Sequence, residues 1–167
     1  MVARGKRRIL RRGGVKRAGD IFVAPTAWNP DRPKTLVICC SDGRWHAQVE
    51  DFLEDRAAKR ADMCVLPGGP AAFSLWGAGF DESHTLEKNF KFLAKHHDLE
   101  SVWLIAHQGC AYYSTKYPYR NAQQMLDRQV EDLEQARKTI DRWGHGLEIH
   151  KVFASLEGER VKFLTVG

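Results

Sequence analysis

Thr35-Leu36-Val37-Ile38-Cys39-Cys40-Ser41-Asp42-Gly43-Arg44 is the stretch that decides the fold. An apolar, β-branched run ends abruptly in small polar residues, the pattern of a buried strand meeting a loop. The far end of such a strand is where open α/β sheets build their sites. Side chains alternate faces along a strand, so Cys39 and Cys40 point opposite ways and one of them joins a site at the strand end. Asp42 and Arg44 follow in the turn, with Gly43 between them to permit a tight backbone. A second run, Val102-Trp103-Leu104-Ile105-Ala106, ends the same way in His107-Gln108-Gly109-Cys110.

Outward from these two runs, the pattern predicts alternating strands and helices. Residues 18–34 hold Pro25, Pro30 and Pro33 and read as irregular chain. Strand 35–40 leads into a helix over 45–60, with Val49, Phe52, Leu53 and Ala57 on one side. Met63–Leu66 is a short strand stopped by Pro67-Gly68-Gly69-Pro70. Residues 71–80, with Phe73, Trp76 and Phe80, read as an apolar loop. A helix capped by Asp81 or Ser83 buries Leu86, Phe90, Leu93 and Ala94. Strand 101–106 precedes a loop from Tyr112 to Arg120. The longest helix covers 121–143, with Ala122, Leu126, Val130, Leu133, Ala136, Ile140 and Trp143 inward, and Gly144 and Gly146 ending it. Two strands, 147–156 and 160–166, joined through Glu157-Gly158-Glu159, read as a hairpin. The expected fold is α/β: a mainly parallel four-stranded sheet plus one C-terminal antiparallel strand, with helices on both faces. In a parallel arrangement the Cys40 and His107 turns share one edge of the sheet.

With 167 residues, one domain is expected, at 34–167, preceded by a basic arm and irregular lead-in at 1–33. Hydrophobic content of 43% and charge of 28% are those of an ordinary globular protein. No apolar run approaches the ~20 residues of a membrane span, and the N-terminus lacks the apolar core of a secretory signal. The four cysteines are irregularly placed and suggest no disulfide framework, so a cytoplasmic setting is expected. Eight of the 26 Lys and Arg lie in residues 1–17, which hold no acid, leaving 18 against 21 acidic residues in the remainder. The basic character therefore belongs to an arm. Such a block is most simply a solvated tail. It has no aromatic residue for base stacking, so nucleic acid is not the expected partner.

Cys40, His107 and Cys110 are the candidate metal ligands. Two Cys and one His with an open fourth position make a catalytic zinc arrangement, whereas a structural site fills all four positions. His-x-x-Cys alone is a moderate signal, since a His and a Cys also pack in cores. The third Cys, at a strand end with Asp42 and Arg44 beside it, adds the specificity.

With these residues in place, the chain resembles the β-class carbonic anhydrases. That family carries Cys-x-Asp-x-Arg after its first core strand and His-x-x-Cys after its third, matched here by Cys40, Asp42, Arg44, His107 and Cys110. The resemblance runs over roughly residues 34–166. It implies bound Zn2+ and hydration of carbon dioxide to bicarbonate by a zinc-held hydroxide. It also implies a homodimer or higher homo-oligomer acting on a small molecule. Asp42 would orient the hydroxide and Arg44 would keep Asp42 from the metal. Three features depart from the family: Leu66–Ala71 replaces a polar segment, Ala111-Tyr112-Tyr113 follows the last ligand, and residues 1–34 contain no Gln to match the substrate-binding Gln of the family's N-terminal arm. A more apolar pocket, with Trp45, Phe73, Trp76 and Tyr112 as candidate lining residues, would suit carbonyl sulfide or carbon disulfide as alternative substrates. A further alternative is a non-catalytic zinc protein whose arm binds an acidic partner. His46, His84, His96 and His97 are candidate proton relays. Cys39 and Cys64 read as buried strand residues.

Overall fold

The computed structural model describes residues 22–56, 60–74, 80–143 and 146–167. The expectations for residues 1–17, Ala57, Trp76 and Gly144 lie outside the described residues. The chain divides into two units, Met1–Asp31 and Arg32–Gly167. In the first, the Asp31 N–H donates to Asn29 Oδ1 at 2.8 Å. The second carries all the strands and helices that follow.

Its strands are β1 (Thr35–Cys40), β2 (Asp62–Leu66), β3 (Ser101–His107), β4 (Glu148–Glu157) and β5 (Arg160–Thr165). Its helices are α1 (His46–Arg56), α2 (Phe80–His97), α3 (Ala111–Lys116) and α4 (Ala122–Arg142). The sheet order is β2-β1-β3-β4-β5. The first four strands are parallel, and β5 returns antiparallel to β4. This is the expected α/β sheet, with Cys40 and His107 as the last residues of β1 and β3.

Strand alternation divides the core. Leu36, Ile38, Val102 and Leu104 face α2 and α4 through Phe90, Ala94, Leu133, Ala136 and Ile140. Val37, Cys39, Ile105 and Val152 face α1 through Val49 and Leu53. Helices therefore cover both faces. Cys40 has the parity of Leu36 and Ile38 and packs with Ala71, Cys110 and Tyr113 in a small cluster of its own. Cys39 stays on the α1 face, where burial pushes its thiol up to about 11.

Five local expectations are corrected. Asp81 and Ser83 lie inside α2, which begins at Phe80, so neither caps it. The start of the 71–80 loop is a 3₁₀ turn, Gly69–Phe73, launched from Gly68 in the left-handed region. Phe73, a candidate lining residue, is buried in the core beside Trp143 and does not line the Cys40–Asp42 cleft. The 112–120 loop contains α3. Ala122 is exposed, because the start of α4 is a polar capping box: Asn121 accepts from the Gln124 N–H while the Gln124 side chain accepts from the Asn121 N–H.

Candidate metal centre

β1 and β3 lie side by side and parallel, in register from Thr35↔Ser101 to Cys39↔Ile105. Their carboxyl ends bring Cys40 and His107 to one edge, and the turn after β3 returns Cys110 to the same point. The ligand atoms of the three residues all lie within 4.8 Å of one another, and all three residues are buried. The Cys40 and Cys110 sulfurs are 3.7 Å apart, and both cysteines are free.

The His107 ring is fixed from two sides. Its Nδ1–H donates to the Gln108 carbonyl at 2.9 Å, which leaves Nε2 with the lone pair. Trp45, buried in the 3₁₀ turn just before α1, lies against the ring at 4.7 Å between centroids. Nε2 itself is buried and has no hydrogen-bond partner. A buried polar atom without a partner is costly, and this one sits beside two thiols. That donor set suits zinc, whose sites take Cys sulfur and His nitrogen. Gln108 ties the loop to the sheet: its N–H donates to the Ala154 carbonyl and its Oε1 accepts from the Leu156 N–H.

The backbone N–H groups of Asp42 and Gly68 favour an anionic Cys40 sulfur. The two thiols share a hydrogen bond, which holds the Cys40 thiol far below the usual range and pushes that of Cys110 up, so the pair keeps one proton between them. An anionic sulfur stabilised by N–H donors is the form a metal needs.

Asp42 and Arg44 form the fork that their spacing predicts. Arg44 Nε donates to Asp42 Oδ1 at 2.9 Å, and Nη2 donates to Oδ2 at 2.5 Å. The arginine side chain is 72% exposed and the carboxylate 16%. Hydrogen bonding to Arg44 holds the Asp42 carboxyl well below the usual carboxylate range. Asp42 and Cys40 line one cleft of about 570 Å³ with Ser41, Pro67, Gly68, Tyr112 and Lys116.

Of the four expected lining aromatics, Tyr112 borders this cleft, Trp45 braces His107 and Phe73 is in the core. Lys116 was not among the sequence candidates. Its signal is the turn from Tyr112 to Lys116, i to i+4 on α3, with Nζ donating to the Tyr112 hydroxyl at 3.2 Å. The histidines separate by position. His46 Nε2 contacts the Cys40 carbonyl at 3.1 Å. His97 pairs with Asp62 at 2.5 Å, and Asp62 begins β2, so His97 lies at the opposite end of the sheet and relays nothing to this site. His96, its neighbour at the end of α2, packs on Phe92.

A family model described as "Putative carbonic anhydrase" matches residues 31–163. The chain belongs to this carbonic anhydrase family. A search of curated proteins gives no match. Among solved structures, the chain is similar to the β-carbonic anhydrase CafA of Aspergillus fumigatus, with a TM-score of 0.58 and 12% identity over 80% of this chain and 76% of that one. It is similar to β-carbonic anhydrase isoform I of Trichomonas vaginalis, with a TM-score of 0.54 and 10% identity over 85% and 88%. The β-carbonic anhydrase CcaA gives 0.54 at 13% identity over 82% and 79%. At these identities the likeness is one of fold.

The glycine pair of this carbonic anhydrase-family site has a steric reason. Gly69 has φ +54, and a Cβ there would lie 2.8 Å from the Cys39 carbonyl carbon and from the Cys40 nitrogen. Gly69→Ala is expected to cost about 3 kcal/mol, from left-handed strain and overpacking against β1. Urea denaturation checks this, and a midpoint equal to that of the parent would contradict it. Gly68, at φ +76, lies under the Tyr112 ring.

Proposed function

We propose that Cys40, His107 and Cys110 hold a zinc ion and that the chain hydrates carbon dioxide to bicarbonate. The observation that carries this reading is the partnerless, buried His107 Nε2 beside two sulfurs, one of which, Cys40, lines a cleft together with Asp42 of the Asp42–Arg44 fork. Zinc bound there supplies Lewis acidity that brings the ionisation of water to near-neutral pH.

The chain's own groups do the rest. The N–H groups of Asp42 and Gly68 favour an anionic Cys40 sulfur, and the Cys110 carbonyl is tied to α3 by the N–H groups of Tyr113 and Ser114. Trp45 and the Gln108 carbonyl fix the imidazole plane. Ionised Asp42 only accepts, so it takes a hydrogen bond from the nucleophile and aims the lone pair at the substrate carbon. Arg44 occupies both carboxylate oxygens and keeps Asp42 from becoming a fourth ligand. Pro67, Gly68 and the Tyr112 ring offer an apolar wall to a linear, uncharged molecule. The new carbon–oxygen bond gives bicarbonate, and the proton lost from water leaves to buffer through the open cleft.

The same wall suits carbonyl sulfide and carbon disulfide, which makes their hydrolysis the second reading. The zinc-loaded chain is expected to accelerate carbon dioxide hydration in stopped flow more than it hydrolyses either sulfur compound. Faster turnover of a sulfur compound would move the assignment to the second reading, and no turnover of any of the three would remove the catalytic one. Self-association belongs to this proposal as well. Met63 and Val65 are exposed on β2, which pairs with β1 and is an edge strand of the described sheet, a surface suited to a second copy.

A further inference from the structure

A polar network lies inside the apolar shell around Cys110. Asp132 on α4 is 2% exposed, Tyr113 on α3 is 1% exposed, and the Arg128 side chain is 14% exposed. The Tyr113 hydroxyl donates to Asp132 Oδ2 at 2.9 Å. Arg128 Nη2 donates to Asp132 Oδ1 at 2.5 Å, and its Nε donates to Oδ2 at 3.3 Å. The Arg128 guanidinium also lies 5.6 Å from the Tyr117 ring, at the end of α3. A buried carboxylate is tolerated when its oxygens are partnered, and both of these are.

The network joins two helices, and one of them cannot stand alone. α3 has six residues, too few to be stable by its own hydrogen bonds. Asp132 holds it at Tyr113, and Arg128 meets it again at Tyr117. Cys110 is the N-cap of α3, and its carbonyl accepts from the N–H groups of Tyr113 and Ser114 at 3.2 Å each. The Cys110 side chain makes no cap hydrogen bond of its own, so the position of α3 decides where this N-cap residue presents its sulfur. Packing alone would be served by Phe at 113 and by an apolar pair at 128 and 132, since a buried ion pair adds little to stability over apolar residues of similar size.

We infer that Tyr113, Asp132 and Arg128 are positioning residues for the metal centre: they clamp α3 onto α4 so that Cys110, its N-cap residue, keeps its sulfur in the ligand cluster. This rests on the zinc reading of Cys40, His107 and Cys110. Supporting groups of this kind cost 10- to 100-fold in metal affinity when removed.

The test strips the full chain of metal, titrates it with cobalt(II), and then measures zinc affinity by chelator competition. Tyr113→Phe, which keeps the ring, is expected to weaken zinc binding roughly 10-fold or more and to shift the cobalt ligand-field bands. Asp132→Asn is expected to move both in the same direction. Ile140→Val, a core change further along α4, lowers stability without touching the network and is expected to leave both unchanged. Zinc affinity within about twofold of the parent for Tyr113→Phe, with an unchanged cobalt spectrum, would overturn the inference. So would an equal loss in Ile140→Val. If the metal-free Tyr113→Phe chain is unfolded, the spectrum at saturating cobalt decides, and a parent-like spectrum overturns it. A parent chain that binds neither metal defeats the zinc reading itself, a separate outcome.

Discussion

Cys110→Ser is expected to remove stoichiometric zinc and to abolish turnover. Cys110 supplies one of three ligand atoms that lie within 4.8 Å of one another, so its loss leaves one sulfur and one imidazole. Serine does not replace it, because its hydroxyl stays protonated at neutral pH and its oxygen is harder than a thiolate. The position has a second duty as the N-cap of α3, and serine keeps that one. The variant therefore separates metal binding from helix capping. The loss in zinc affinity should exceed the ~100-fold that a supporting residue costs. Cys64→Ser serves as the comparison, since Cys64 on β2 is outside the ligand cluster and burial pushes its thiol up. Elemental analysis of both purified proteins checks this. Full zinc occupancy in Cys110→Ser would contradict the ligand assignment.

Arg44→Ala is expected to lose turnover while keeping zinc. Asp42 is two residues from Cys40 and lines the same cleft. Its two oxygens are both engaged by the Arg44 fork, at 2.9 Å and 2.5 Å. Exposed ion pairs contribute little stability, so the fold should survive the change. The carboxylate, freed of its partner, is drawn to the nearest cation and takes the position that water needs. The expected loss of turnover is at least about 100-fold, with zinc content unchanged. Arg44→Ala combined with Asp42→Ala should recover part of the activity, because no carboxylate is left to close the site. Steady turnover in the single variant, or a double variant no better than the single one, would show that the fork does not govern the fourth position.

The architecture was legible because its signals were local. The runs at 35–40 and 102–106 each end at a polar turn, and parallel pairing then carries Cys40 and His107 to one edge without further information. Alternation also separated Cys39 from Cys40. The features missed are those where polar residues do structural work. α3 was hidden because Tyr112 to Lys116 has no helical apolar stripe; its helix depends on Tyr113 reaching Asp132, a contact between residues 19 apart. Asp132 and Gln129 sit on the inward face of α4, both 2% exposed, yet an apolar-stripe reading passes over them. Asn121-x-x-Gln124 was a readable capping box, and it would have placed Ala122 in the exposed first turn rather than in the core. The turn at Gly69–Phe73 was read as loop because the close approach of Gly69 to β1 is a tertiary fact. Phe73 was offered as a pocket-lining candidate because sequence alone does not show which way a loop aromatic points.

The central claim is that Cys40, His107 and Cys110 ligate zinc in an open site. X-ray absorption at the zinc edge on the purified chain tests it most directly. The account predicts two sulfur neighbours at ~2.3 Å and one imidazole nitrogen at ~2.0–2.1 Å, with a light atom completing the shell. A shell of nitrogen and oxygen alone, or four sulfurs, would contradict it.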